Sequence, residues 1–277
     1  MGQISSCHGG GASSGDLEID DSVPESQTLP IPYSQAKDQI LPGDLVFFAG
    51  GDFVSGMIRF IQGRIGGKVN KHNIPSGTFS HVGMIVTPNI LDHPKVLPGK
   101  IYVWESTMSG RLGSGVPNVD GESFLGVQLR NFEDLVPKYL ADGKKTKIAI
   151  AHLQNNPFLV SKRRSKVIAK MKFTEVFHRY NGAKYDSNML SLAGSGLACI
   201  RPIRKIAEEV LSTESWLFCS ELIAAAYRDL GILPEDIDPK NTLPMDFLGY
   251  DTDEKGRLPI VIETPIIYIK EDEEENK

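Results

Sequence analysis

Trp216-Leu217-Phe218-Cys219-Ser220-Glu221-Leu222-Ile223-Ala224-Ala225-Ala226-Tyr227 joins a thiol to an alanine-rich run. Alanine and leucine favour helix, which predicts a helix over roughly Phe218 to Leu230, ended by Gly231. Cys219 then falls in the first turn. There the positive end of the helix dipole lowers a thiol's pKa and favours the nucleophilic thiolate. The free backbone N–H groups of that turn can face a developing oxyanion. A cysteine among Phe, Leu and Ile is more often a small core hydrophobe, so the segment needs partners elsewhere in the chain.

Two segments supply candidates. Phe79-Ser80-His81-Val82-Gly83-Met84-Ile85-Val86 belongs to a strand expected from Phe79 to Thr87, whose alternation puts His81, Gly83 and Ile85 on one face. Gly83 leaves the position beside the histidine open. Ile101-Tyr102-Val103-Trp104-Glu105-Ser106 is a second expected strand that ends on a carboxylate. A carboxylate there can fix the orientation of an imidazole and stabilise the imidazolium. A buried, satisfied histidine or a solvent-edge glutamate is the plainer reading of each residue alone. A thiol, an imidazole and a carboxylate, each at the end of a structured element, make the catalytic reading stronger together.

The order Leu41-Pro42-Gly43-Asp44-Leu45-Val46-Phe47, Phe79-Ser80-His81-Val82-Gly83-Met84, Val103-Trp104-Glu105-Ser106, Tyr185-Asp186 and Phe218-Cys219-Ser220-Glu221-Leu222 resembles the circularly permuted papain-fold amidases of the YaeF/YiiX type. These belong with the NlpC-type thiol hydrolases and are similar to the lecithin retinol acyltransferase group. The resemblance spans about Leu41 to Ile269. It implies a circularly permuted papain-like fold, with Cys219 as nucleophile, His81 as general base and Glu105 as the orienting carboxylate. It also implies that Tyr185 and Asp186 border a substrate cleft.

The rest of the chain predicts α+β architecture, one antiparallel sheet packed against helices. Further strands are expected at Leu45–Phe48, Val127–Leu129, Lys147–Leu153 and Pro259–Ile269, the last interrupted by Pro265. Asn156-Pro157 offers a cap and a first-turn proline for a long helix to about Tyr180. A shorter helical spacing covers Phe53 to Gln62. The polar stretch Thr107 to Ser123 has the length of a lid or an irregular loop. Gly63-Arg64-Ile65-Gly66-Gly67-Lys68 lacks the Ser or Thr that a phosphate loop needs after its lysine.

Composition bounds the function. With 277 residues, 40% hydrophobic and 23% charged, the chain is globular over most of its length. Three cysteines form no disulfide framework and no zinc pattern, so no metal and no cofactor are expected and an intracellular setting is. The net charge of −5 speaks against a nucleic-acid partner. That charge sits at the ends: residues 1–40 carry −5 and residues 270–277 carry −3, leaving a body of +3. Residues 1–39 are expected to be an unfolded tail, 40–270 the catalytic domain and 271–277 an acidic tail.

Met1-Gly2-Gln3-Ile4-Ser5-Ser6 matches the N-myristoylation pattern at Gly2, and Cys7 follows as a palmitoylation candidate. One myristoyl chain binds membranes marginally, so a second signal is needed. Lys162-Arg163-Arg164-Ser165-Lys166, with Lys170 and Lys172, is a candidate contact with an anionic membrane surface at about 1 kcal/mol per base. The expectation is a cysteine-dependent hydrolase of the thiol-protease or amidase type, lipid-anchored to the cytoplasmic face of a membrane. Its substrate would be an acyl-containing peptide, amide or lipid, attacked by a Cys219–His81–Glu105 triad. A thiol acyltransferase and a catalytically silent papain-fold scaffold or lipid-binding module stay open beside it. Cys199 is expected to be a bystander.

Overall fold

The computed structural model describes residues 29–50, 59, 62, 74, 75, 77–107, 115–123, 125–141, 146–184, 219–249, 258, 261–263 and 265–272. Its centre is a seven-stranded open sheet. The strands are β1 (Ile31–Pro32), β2 (Leu45–Ala49), β3 (His81–Val86), β4 (Tyr102–Thr107), β5 (Gly126–Asn131), β6 (Lys147–Ala151) and β7 (Ile267–Lys270). They lie in the order β1-β7-β6-β2-β3-β4-β5. Every pairing is antiparallel except β1 with β7. Helices are α1 (Tyr33–Ala36), α2 (Phe132–Leu140), α3 (Arg163–Tyr180) and α4 (Cys219–Asp229). The architecture is α+β.

Both faces of the sheet are covered, which is why β2, β3, β4 and β6 read as nearly continuous apolar runs. Strand alternation divides these runs between two cores. Leu45, Phe47, Val82, Met84, Trp104, Leu129 and Ala149 pack with Phe173 and Phe177 of α3 and with Leu222, Ile223 and Ala226 of α4. Val46, Phe48, Ile85, Val103, Ile148 and Ile150 pack with Phe132, Leu135 and Val136 of α2. The small side chains of Ala224 and Ala226 let α4 lie close to the sheet. The Tyr227 hydroxyl donates to the Gly43 carbonyl at 2.8 Å and ties the last turn of α4 to the turn before β2. Gly43 is required there: its φ is +87°, and a Cβ would stand 2.6 Å from Phe158 Cδ2.

Three expectations are corrected. The unfolded tail was to reach residue 39, yet Ile31 and Pro32 pair with Ile269 and Lys270, and α1 and a 3-10 turn at Lys37–Gln39 follow. Tyr33 packs edge-on against Phe132 and Ala36 is fully buried, which gives this short segment the apolar contact its composition did not advertise. The acidic tail was to begin at 271, yet Asp272 accepts hydrogen bonds from the backbone and hydroxyl of Ser34 at 2.9 and 2.7 Å. The long helix starts at Arg163 instead of Asn156, because Asn156 caps a local turn, accepting from the Phe158 N–H at 3.0 Å. The described part of the Thr107–Ser123 stretch, residues 115–123, is an irregular segment along β5: Asn118 bridges Arg130, and the Val119 N–H donates to the Leu129 carbonyl. It covers an otherwise open sheet edge.

The other strands match within a residue or two, except the last, which narrows to β7 and an isolated bridge between Leu153 and Ile262. Helix α2 was not foreseen. Of the expected Phe53–Gln62 helix only Arg59 and Gln62 are described, both helical. Among the described residues no helix is long and apolar enough to cross a membrane.

Candidate active site

Three adjacent strands prepare one polar cluster on an apolar sheet. β3 and β4 pair with Met84 opposite Trp104 and Ile85 opposite Val103, and β4 and β5 pair with Val103 opposite Arg130 and Glu105 opposite Gln128. Glu105 and Arg130 are therefore diagonal neighbours on one face, within reach of a long side chain. His81 opens β3 on the same face. Gly83 separates it from the apolar part of the strand, and a Cβ there would lie 2.7 Å from Val103 Cγ2 and 3.2 Å from Glu105 Cβ. The missing side chain lets β3 and β4 bring imidazole and carboxylate together.

The resulting contacts form a chain of alternating charge. His81 Nε2 donates to Glu105 Oε2 at 2.5 Å. Arg130 Nε donates to Glu105 Oε1 at 2.7 Å, and Arg130 Nη2 contacts the same oxygen. Glu105 is fully buried and Arg130 is 3% exposed. Cys219, the first residue of α4, hydrogen bonds with His81, and the backbone N–H groups of Val82 and Ser220 also point at its sulfur. With Nε2 committed to Glu105, Nδ1 is the nitrogen left for the thiol. Cys219 is 5% exposed, whereas one fifth of the His81 side chain remains open to solvent. The ring also packs on Phe48, with centroids 5.4 Å apart.

This arrangement sets the protonation states. Burial would raise Glu105, but the Arg130 guanidinium and the His81 ring hold its pKa down to about 2. Burial would lower His81, but Cys219 and Glu105 push it up to about 10. Burial pushes the Cys219 thiol up. The facing His81 and the two backbone N–H groups outweigh that and bring it below its ordinary 9.0. The direction for the pair is a thiolate facing an imidazolium at neutral pH. A sulfur so placed can attack an acyl carbonyl, and the imidazolium can protonate the leaving group.

The sequence-predicted Cys219, His81 and Glu105 are brought together. Tyr185, Asp186, Gly2, Cys7 and Cys199 lie outside the described residues. Lys184, just before Tyr185, bridges Gly126 at the end of β5, and the Val127 N–H donates to the Ala183 carbonyl. Two participants were missed. Arg130 fell beyond the expected end of its strand at Leu129. One more residue of alternation, with Gln128 and Arg130 sharing a face, would have exposed a polar pair. Gln62 is fully buried and donates to the Phe79 carbonyl at 2.7 Å while accepting from the Met245 N–H at 3.0 Å. It steadies the approach to His81, and its isolated glutamine carries no sequence signal.

A second histidine–carboxylate pair lies toward the other end of β2. His152 Nδ1 donates to Asp44 Oδ2 at 2.8 Å. The same carboxylate accepts from the Leu41 N–H at 2.8 Å and from the Leu153 N–H at 3.3 Å. Among the described residues Cys219 is the one cysteine, and it faces His81, not His152. No protein-family model matches the chain, and no curated protein does.

Proposed function

We propose that this chain is a cysteine-dependent hydrolase of amide or ester bonds, working through a thioester on Cys219. The observation that carries the proposal is the continuous line of contacts Arg130–Glu105–His81–Cys219. An inert core cysteine has no reason to face a histidine whose far nitrogen is held by a fully buried carboxylate.

The Cys219 thiolate adds to the acyl carbonyl. Its carbonyl oxygen becomes an oxyanion beside the N–H groups of the first turn of α4. His81 gives its proton to the leaving amine or alcohol as the C–N or C–O bond breaks. His81 then takes a proton from water, whose oxygen attacks the thioester; the C–S bond breaks, the acid departs and the Cys219 thiolate is restored. Glu105 holds the ring in place and stabilises its charged form, and Arg130 keeps Glu105 ionised. The chain order His81, Glu105, Cys219 supports a circularly permuted papain-like fold of the NlpC type. The proposed setting is the cytoplasmic face of a membrane, with Gly2 acylated and Cys7 as the second lipid site.

The test is intact-mass spectrometry of the full chain after exposure to a panel of peptide, amide and lipid-ester substrates. A thioester adduct on Cys219 is expected, cleared over time by hydrolysis. Absence of any adduct, together with equally slow iodoacetamide labelling of Cys219 and Cys199, would reject the proposal.

A further inference from the structure

Helix α3 has two faces that make opposite demands. Ala169, Phe173, Val176 and Phe177 are buried against the sheet and fill its inward side. Helical spacing puts Arg164, Val167, Ile168 and Met171 on the opposite side. Val167 and Ile168 are about half exposed and Met171 is 67% exposed, with Leu159 just ahead of the helix nearly half exposed. These four are a majority of the seven large apolar residues exposed among the described residues, so the apolar surface is concentrated here.

The rim of this patch is basic. Lys162, Arg163, Arg164, Lys166, Lys170 and Lys172 surround it, and no acid occurs from Gln154 to Thr174. Lys170 reaches the Pro88 carbonyl at 3.3 Å. Among the described residues Lys162, Arg163, Arg164, Lys166 and Lys172 make no ion pair. The first acid, Glu175, is held by Arg179 at 3.1 Å. Bases at the start of a helix also oppose its dipole. Lys162 stands at the cap with no side-chain hydrogen bond, and the first turn has no acid. Helix stability therefore does not explain Arg163 and Arg164.

We infer that the outward face of α3 docks on an anionic lipid leaflet. Val167, Ile168, Met171 and Leu159 enter the interfacial zone, and the surrounding bases meet the headgroups. The apolar–basic mixture matches such a surface, whereas a protein interface draws on buried aromatic anchors, which this patch lacks. The inference extends the membrane setting proposed above, but it requires neither acylation nor catalysis.

Flotation of the full chain, produced without acylation, tests it with two kinds of vesicle. One is phosphatidylcholine alone, and the other has a third of its lipid as phosphatidylserine. Binding is expected only to the second and should weaken with salt. R163E/R164E should reduce it more than tenfold, given about fivefold per base, and I168S/M171S should reduce it comparably. The inference is overturned if the wild type does not float with the anionic vesicles, or if both variants float as it does. It is equally overturned if sedimentation velocity shows a dimer that I168S/M171S dissolves while vesicle binding is absent. Iodoacetamide labelling of Cys219 should be unchanged in these variants, and its loss in the wild type would count against the catalytic proposal alone.

Discussion

Among the described residues there are two histidine–carboxylate pairs, and only one of them faces a thiol. At His81–Glu105 the carboxylate is fully buried, yet Arg130 and His81 hold it ionised at a pKa of about 2. At His152–Asp44 the carboxylate is equally buried, and burial wins: its pKa lies above the usual range despite His152 and two backbone N–H groups. The difference is a guanidinium. A buried carboxylate stays a dependable anion when a cation offsets its desolvation. It can then raise the pKa of a histidine that must be charged opposite a thiolate. Asp44 serves structure instead, gathering Leu41, His152 and Leu153 around the turn that leads into β2.

The contrast can be broken most directly at the thiol. Cys219→Ala should abolish the thioester adduct and reduce turnover on the order of 10⁴-fold or more, read by mass spectrometry and steady-state kinetics. Glu105→Gln comes next. Removing the counter-charge of a buried guanidinium should cost about 3 kcal/mol of stability, measured by urea unfolding, and should slow Cys219 alkylation. Rapid alkylation with full stability would place the two pairs on the same footing.

His81→Ala should remove the charge that does most to hold the buried thiol below 9.0, leaving little thiolate near pH 7. The acid limb of the alkylation profile should move up toward pH 9. In the wild type, hydrolysis should follow a bell whose alkaline limb lies near pH 10, where His81 loses its proton. Glu105 contributes stability that is complete above its ordinary 4.5 and is lost as pH falls toward about 2, so acid unfolding should steepen in that window. Asp44→Ala should have the smallest effect, about 1–3 kcal/mol from the stranded Leu41 and Leu153 N–H groups, with Cys219 alkylation unchanged. A change in the alkylation rate would link the two pairs.

Local pattern carried much of this organisation. The apolar runs of β2, β3, β4 and β6 and the alanine-rich start of α4 were legible because composition is a property of neighbours in sequence. The thiol, imidazole and carboxylate could be named as candidates from their own segments. Arg130 could not be joined to Glu105, because that contact depends on the register of β4 against β5, which no local pattern encodes. β1 was hidden for a related reason. Ile31 and Pro32 are a strand only because β7 lies beside them. Asn156 misled because the same residue types cap helices and isolated turns.

The order of the site along the chain has a consequence for synthesis. His81, Glu105 and Arg130 all come from the consecutive antiparallel strands β3, β4 and β5, whose pairings are local and can form while the chain is still emerging from the ribosome. Cys219 is made much later and reaches them only when α4 docks. The nascent protein thus assembles its guanidinium–carboxylate–imidazole cluster before Cys219 has been made, and the sulfur meets its imidazole only on arriving at a finished seat.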